Sequence, residues 1–138
     1  MPTAAIKICG ISTSEALEAA IRARADHAGF VFFPKSPRNV TPAQAAQLAE
    51  RAQGRIGRVG LFVDADDAAI AEAVASARLD AFQLHGNETP ERAAQLRARY
   101  GVAVWKALSV ATAEDAARAA AYACLLYTSD AADDLLCV

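Results

Sequence analysis

Four polar residues in this sequence fall at or just beyond the C-terminal ends of predicted strands: Cys9, Arg38, Asp64 and His85. In barrels and open α/β sheets alike, ligands bind along that edge. Cys9 has two readings. One is a small buried hydrophobe; the other is a thiolate base or nucleophile whose pKa nearby cations or helix N-termini depress. Lys7 stands two residues earlier, so on a strand the pair shares one face. Inside a barrel that lysine needs a carboxylate partner. Arg38 lies in a loop stiffened by Pro34 and Pro37. It reads either as a solvated charge or as a guanidinium set for two-point capture of a carboxylate or phosphate. Gln83 and His85 also share a strand face, and Gly86 behind them allows a ligand to approach the backbone closely. His85 reads as structural or as a pocket residue. The plainest reading of Asp64 is a helix N-cap.

The elements that position these residues alternate. Ala5–Cys9, Ala28–Phe33, Arg58–Val63, Ala81–Leu84 and Val102–Leu108 read as strands. Between and after them run alanine-rich amphipathic helices. The first starts at Thr13 or Ser14 and runs to about Arg24. The second starts at Thr41-Pro42, a cap followed by proline at the first helical position, and runs to about Ala52, where Gly54 stops it. The third opens on the acidic stretch Asp64–Asp67 and ends near Ala77. The fourth opens between Asn87 and Pro90 and ends at Tyr100-Gly101. The fifth is capped by Thr112 and runs to about Tyr122. Strands alternating with helices predict a parallel sheet with right-handed crossovers. Two architectures fit, an open doubly wound sheet and part of an eight-stranded βα barrel. No Gly-x-Gly-x-x-Gly follows the first strand, which weakens the dinucleotide-binding form. A complete barrel needs about 200 residues or more.

Composition narrows the function classes. The 138 residues are 54% hydrophobic and 22% charged, with 14 basic against 16 acidic side chains and a net charge of −2. Nothing in those totals resembles the basic face of a nucleic-acid binder. The apolar runs fall short of the ~20 residues of a membrane span, and no secretory leader is read at the N-terminus. The three cysteines, Cys9, Cys124 and Cys137, fit neither metal-ligand spacing nor a disulfide framework. The expectation is a reduced, cytoplasmic protein without metal, nucleic-acid or membrane partners.

Lys7-Ile-Cys-Gly-Ile11, the run from Gly29 to Arg38 (Gly-Phe-Val-Phe-Phe-Pro-Lys-Ser-Pro-Arg), Val59-Gly-Leu-Phe-Val63 and Gln83-Leu-His-Gly86 follow one another in a set order and spacing. Together with Val104-Trp-Lys-Ala107 they resemble the phosphoribosylanthranilate isomerases of tryptophan biosynthesis, over about residues 5–123. The resemblance implies a TIM barrel. It implies an Amadori rearrangement of N-(5'-phosphoribosyl)anthranilate to 1-(2-carboxyphenylamino)-1-deoxyribulose 5-phosphate, with no cofactor. By that resemblance Cys9 is the general base, Arg38 contacts substrate, and Gln83 and His85 line the pocket.

The resemblance also implies residues that lie elsewhere. In the family the general acid is an aspartate at the end of strand six, and the loops after strands seven and eight hold the phosphate. Residues 1–123 read as the N-terminal part of a TIM-barrel isomerase domain, about five of eight units. Residues 124–138, beginning Cys124-Leu-Leu-Tyr-Thr-Ser129, resemble a translated frame of the transposon adapter used in preparing sequencing libraries, and read as a non-native tail. Asp130, Asp133 and Asp134 take no role, because they precede the apolar Leu135-Leu136 pair whereas the acid follows a strand. An unclosed barrel leaves two strand edges unpaired, so the chain by itself is expected to be marginally stable, prone to associate and inactive. Two other readings are another sugar-phosphate barrel enzyme and a non-catalytic half-barrel that binds or assembles through its sheet edge.

Overall fold

Each helix starts where a short polar side chain takes over an amide that the first turn leaves without a partner. Thr13 accepts from the Ala16 amide, Asp66 from Ala69 and Thr89 from Arg92. Thr41 and Gln44 make a reciprocal capping box: the Thr41 hydroxyl accepts from the Gln44 amide at 3.2 Å, and the Gln44 side chain accepts from the Thr41 amide at 2.8 Å. The helix ends are equally local. Gln53, Arg78 and Gly101 adopt the left-handed conformation at the C-caps of the second, third and fourth helices.

The structure is a computed structural model and describes residues 4–126. Its order is β1 (Lys7–Cys9), α1 (Ser14–Arg22), β2 (His27–Phe32), α2 (Pro42–Ala52), β3 (Gly57–Phe62), α3 (Asp67–Ala77), β4 (Ala81–Leu84), α4 (Pro90–Tyr100), β5 (Ala103–Lys106) and α5 (Ala113–Leu126). The strands form one sheet in the order β1-β2-β3-β4-β5, with every pairing parallel. The expected alternation is therefore present, with shorter first and last strands. The reading of residues 124–138 falls outside the described residues, apart from the final turn of α5.

Side-chain alternation divides the sheet into two faces. Phe30, Phe62, Phe82 and Leu84 point outward and are fully buried with Leu17, Ile70 and Leu96 of the helices. Phe62 is central to this layer, stacked on Phe32 at 5.5 Å and edge-on to Phe82 at 5.6 Å. The other face carries Lys7, Cys9, Gly29, Val31, Val59, Leu61, Ala81, Gln83 and Trp105, related by the strand register.

That second face is concave. In a flat sheet, at about 4.8 Å per strand, β1 and β5 would stand roughly 19 Å apart. Yet the Lys7 ammonium lies 6.0 Å from the Trp105 ring centre, and the His27 ring meets Trp105 edge-on at 5.2 Å. Small residues make room for this crossing. A Cβ on Gly57 would lie 2.5 Å from His27 Cδ2. The sheet is an arc of barrel wall, and β1 and β5 are its two edges. On the outer side of the β1 edge, Ile6 and Ile8 remain 54% and 41% exposed.

Two acidic residues fasten the bottom of the wall. Asp26, just before β2, accepts from the Ile6 amide at 2.7 Å, and Asp80, just before β4, accepts from the Arg58 amide at 2.8 Å. Each follows by two residues an arginine with positive φ, Arg24 or Arg78.

Replacing Phe62 with alanine is expected to cost about 3–5 kcal/mol of stability, against about 1 kcal/mol for Thr41→Ala. Urea denaturation midpoints of the two variants measure the difference. Equal losses would mean that the outer aromatic layer does not carry the fold.

Candidate active site

Cys9 is the last residue of β1, and the chain turns immediately after it. Gly10 has φ +80°, and the amides of Gly10 and Ile11 both donate to the Gly29 carbonyl at 3.0 Å. Neither glycine tolerates a side chain easily. A Cβ on Gly29 would sit 3.2 Å from Cys9 Sγ, and one on Gly10 would sit 2.5 Å from Arg38 Cδ and 2.8 Å from Arg38 Nη1. The Arg38 side chain therefore lies across the turn that follows the Cys9 thiol. Cys9 is an exposed free cysteine, so the buried-hydrophobe reading does not describe it among these residues.

The loop that carries Arg38 is tied from within. The Ser36 amide donates to the Phe33 carbonyl at 2.9 Å, the Ser36 hydroxyl accepts from the Arg38 amide at 3.1 Å, and the Val40 amide returns to Val31 at 2.9 Å. The guanidinium itself takes part in none of the ion pairs among the described residues. The loop backbone is tied, and the exposed side chain carries its charge outside those pairs.

Gln83 and His85 do share a face, and they touch. The Gln83 amide nitrogen lies 2.7 Å from His85 Nε2. With the amide nitrogen donating, this ring nitrogen accepts. Burial first, then the charges of Lys7 and Lys106, push the His85 pKa below its ordinary value against an opposing pull from Glu88. Gln83 is buried at the floor of the concave face, and His85 is at its exposed rim. Lys7 has no carboxylate partner among the described residues, contrary to expectation; its ammonium lies over the Trp105 ring instead.

Asp64 is not a helix cap. Asp66 fills that position, and Asp64 is left-handed at φ 50°. Its carboxylate accepts from the Asn87 amide at 2.7 Å and occupies the space a Gly86 side chain would need. Two further residues were not singled out in the sequence. Glu88 and Lys106 form an ion pair at 2.8 Å with side chains only 5% and 4% exposed, directly beneath the loop after β4. Burial opposes ionisation of Glu88, but hydrogen bonds from Lys106 and from backbone amides keep its pKa below the ordinary carboxylate value. The only signal for them lay in their proximity to motifs already noted: Glu88 follows Gln83-Leu-His-Gly86, and Lys106 lies within Val104-Trp-Lys-Ala107.

The edge thus presents a thiol, a guanidinium and a neutral imidazole, suited to proton transfer on a substrate that carries an anionic group. Among the described residues no cluster of three or more His, Cys, Asp or Glu side chains is placed to hold a metal ion, and no helix is long and apolar enough to cross a membrane. A sheet that is parallel throughout, in sequential order, and curled until its first and fifth strands face each other is part of a TIM barrel. The chain is an α/β protein of that class, here as five consecutive βα units.

Comparison with known proteins resolves the class further. Residues 6–132 match the N-(5'phosphoribosyl)anthranilate (PRA) isomerase family. The span continues past Ala123, where the sequence reading placed its boundary. The N-(5'-phosphoribosyl)anthranilate isomerase of Paramagnetospirillum magneticum is 52% identical over 110 residues, covering 80% of this chain and 51% of the relative. That of Parvibaculum lavamentivorans is 46% identical over 131 residues, covering 95% of this chain and 58% of the relative. Among solved structures, a Thermotoga maritima phosphoribosyl anthranilate isomerase superposes with a TM-score of 0.81 at 34% identity, over 87% of this chain and 58% of that one. A phosphoribosyl anthranilate isomerase in complex with reduced 1-(o-carboxyphenylamino)-1-deoxyribulose 5-phosphate gives the same score and identity, over 87% and 61%. The chain belongs to the N-(5'-phosphoribosyl)anthranilate isomerase family. It spans about half the length of the curated relatives it matches.

The lowered His85 pKa sets a direction for stability against pH. Folded His85 binds its proton less readily than the unfolded chain does. Its contribution is complete above about pH 6.5 and is lost as pH falls from there through the folded value. Urea midpoints are expected to decline over that interval, and His85→Asn to flatten part of the decline. An undiminished decline in the variant would remove His85 as a source.

Proposed function

We propose that these five units form the base-bearing half of an isomerase that converts N-(5'-phosphoribosyl)anthranilate to 1-(2-carboxyphenylamino)-1-deoxyribulose 5-phosphate. The reading rests above all on one observation: Arg38 lies across the Gly10 turn that follows Cys9. A cation and an exposed thiol thus meet at one strand end, where an anionic aromatic substrate has both its carboxylate and its sugar carbon within reach. The family membership and the product analogue bound to a relative that superposes on this chain support the same chemistry.

In this mechanism the furanose opens as its ring oxygen is protonated, giving a Schiff base. The Cys9 thiolate then takes the proton from sugar C2. The resulting enolamine tautomerises to the ketone, which completes the Amadori rearrangement. Arg38 pairs with the anthranilate carboxylate and fixes the ring, so that C2 faces the sulfur. Gln83 and His85 line the same pocket, with His85 kept neutral as a hydrogen-bonding group. The acid that protonates the ring oxygen and the groups that hold the phosphate belong to the units after β5. Residues 1–123 are the N-terminal part of the domain, and by themselves they bind weakly and do not turn over. The substrate is a small cytoplasmic metabolite, and neither nucleic acid nor membrane enters the reaction.

The test joins residues 1–123 to the C-terminal half of the Paramagnetospirillum magneticum relative and assays the isomerisation. Turnover is expected in the joined protein and not in the 138-residue chain. Cys9→Ala is expected to lower kcat by about two to four orders of magnitude, the usual share of a general base. Arg38→Ala is expected to raise KM by about 10- to 100-fold, as loss of a charge-assisted hydrogen bond does. A soluble, folded joined protein without turnover would overturn the assignment, and near-normal kcat in Cys9→Ala would remove that residue from the role of base.

A further inference from the structure

The loop after β4 is bound more tightly than a loop of its length requires. It carries His85 at its first position, and every tether on the next three residues comes from the Asp64–Glu88–Lys106 cluster or from α5. The Gly86 amide donates to Glu88 Oε1 at 2.8 Å, and the Gly86 carbonyl accepts from the Lys106 ammonium at 2.5 Å. The Asn87 amide donates to Asp64 Oδ1 at 2.7 Å, and the Glu88 carbonyl accepts from the Tyr122 hydroxyl at 2.6 Å. The second Glu88 oxygen accepts from the Asp64 amide at 2.8 Å, joining this loop to the end of β3. His85 itself begins the loop with an amide bonded to the Phe62 carbonyl at 2.9 Å.

A buried ion pair of this kind contributes little net stability. Taking both charges out of water costs about as much as their attraction returns, and well-packed apolar residues often replace such pairs without loss. What the pair does supply is direction. Lys106 comes from β5, Glu88 from the loop and Asp64 from the end of β3, so three elements converge on the backbone around Gly86. We propose that Glu88 and Lys106 are positioning residues for the site: they contact no substrate, and they hold the loop after β4 so that His85 stands at a fixed point on the pocket rim. This inference rests on the isomerase reading for its catalytic consequence and on the hydrogen-bond network alone for its structural one.

The two parts are tested separately. In the 138-residue chain, the Gly86 and Asn87 amides are expected to show hydrogen-exchange protection matching the amides of β4. Exchange at the rate of an open loop would overturn the clamp without bearing on the reaction. In the joined protein, Glu88→Gln and Lys106→Met are each expected to lower kcat by up to about 100-fold, the cost of misplacing one group by about 1 Å, with KM within about threefold. Lys106→Arg, which keeps the cation, is expected to recover part of that loss.

An imidazole titration followed by NMR separates release of the loop from the loss of a neighbouring charge alone. The groups that act on His85 are Lys7 from β1, Lys106 from β5 and Glu88 from the loop itself. With the loop held, removing the Lys106 charge raises the His85 midpoint and removing the Glu88 charge lowers it. A loop that had come loose would move both midpoints upward, toward the free value. Midpoints that both move upward, together with the kcat losses, support the proposal; opposite shifts, which the lost charges alone produce with the loop still held, or unchanged kcat in folded variants, overturn it. Absence of turnover in the unsubstituted joined protein would instead count against the isomerase reading.

Discussion

Parallel pairing is the constraint on which everything else depends. Each crossover helix returns the chain to the bottom of the sheet, so all five strands point the same way and all their carboxyl ends lie on one edge. Residues far apart in the sequence then become neighbours without any contact having been specified between them. Cys9, Arg38 and His85 are separated by tens of residues and by whole helices, yet each follows or ends a strand on that edge. The bottom edge is fastened by Asp26 and Asp80, which take up the amides at the foot of the neighbouring strands. One edge of the sheet thus carries the anchoring carboxylates and the other the thiol, guanidinium and imidazole.

Curvature does the second part of the work. The concave face alternates large and absent side chains, so that His27 leans over Gly57 to reach Trp105 and Lys7, its partner on β1, reaches the same ring. Without that curl the polar groups would stand in a row about 4.8 Å apart per strand; with it they face a common space. The same geometry leaves β1 and β5 as edges, with Ile6 and Ile8 uncovered on the outer side of β1. The curated relatives are about twice as long as the stretch they share with this chain.

The glycines near the site are defined by what occupies their missing side chains. Arg38 fills the place at Gly10, Cys9 that at Gly29 and Asp64 that at Gly86. A glycine here is a mould for a functional group, and this accounts for runs such as Lys-Ile-Cys-Gly and Gln-Leu-His-Gly reading as units. The polar residue and the space for a neighbouring one are adjacent in the chain.

The sequence by itself determined the order of the elements and the identity of the edge groups. Caps at Thr13, Thr41 and Thr112, prolines at the first helical positions and unbroken apolar strands act over a few residues, so their physics is local and legible. The strand-end placement of Cys9, Arg38, Asp64 and His85, and the shared face of Gln83 and His85, followed from the same pattern. Tertiary structure decided what those residues meet. Asp64 looked like a cap because acidic residues favour helix starts, but Asp66 took that position and left Asp64 to bind the loop after β4. Lys7 called for a carboxylate and lies over an aromatic ring. Glu88 and Lys106 are 18 residues apart and resemble ordinary surface charges until β4 and β5 pair and bury them together. Desolvation, like-charge proximity and the reach of a side chain across a curved sheet depend on distances that exist only once the strands are in register.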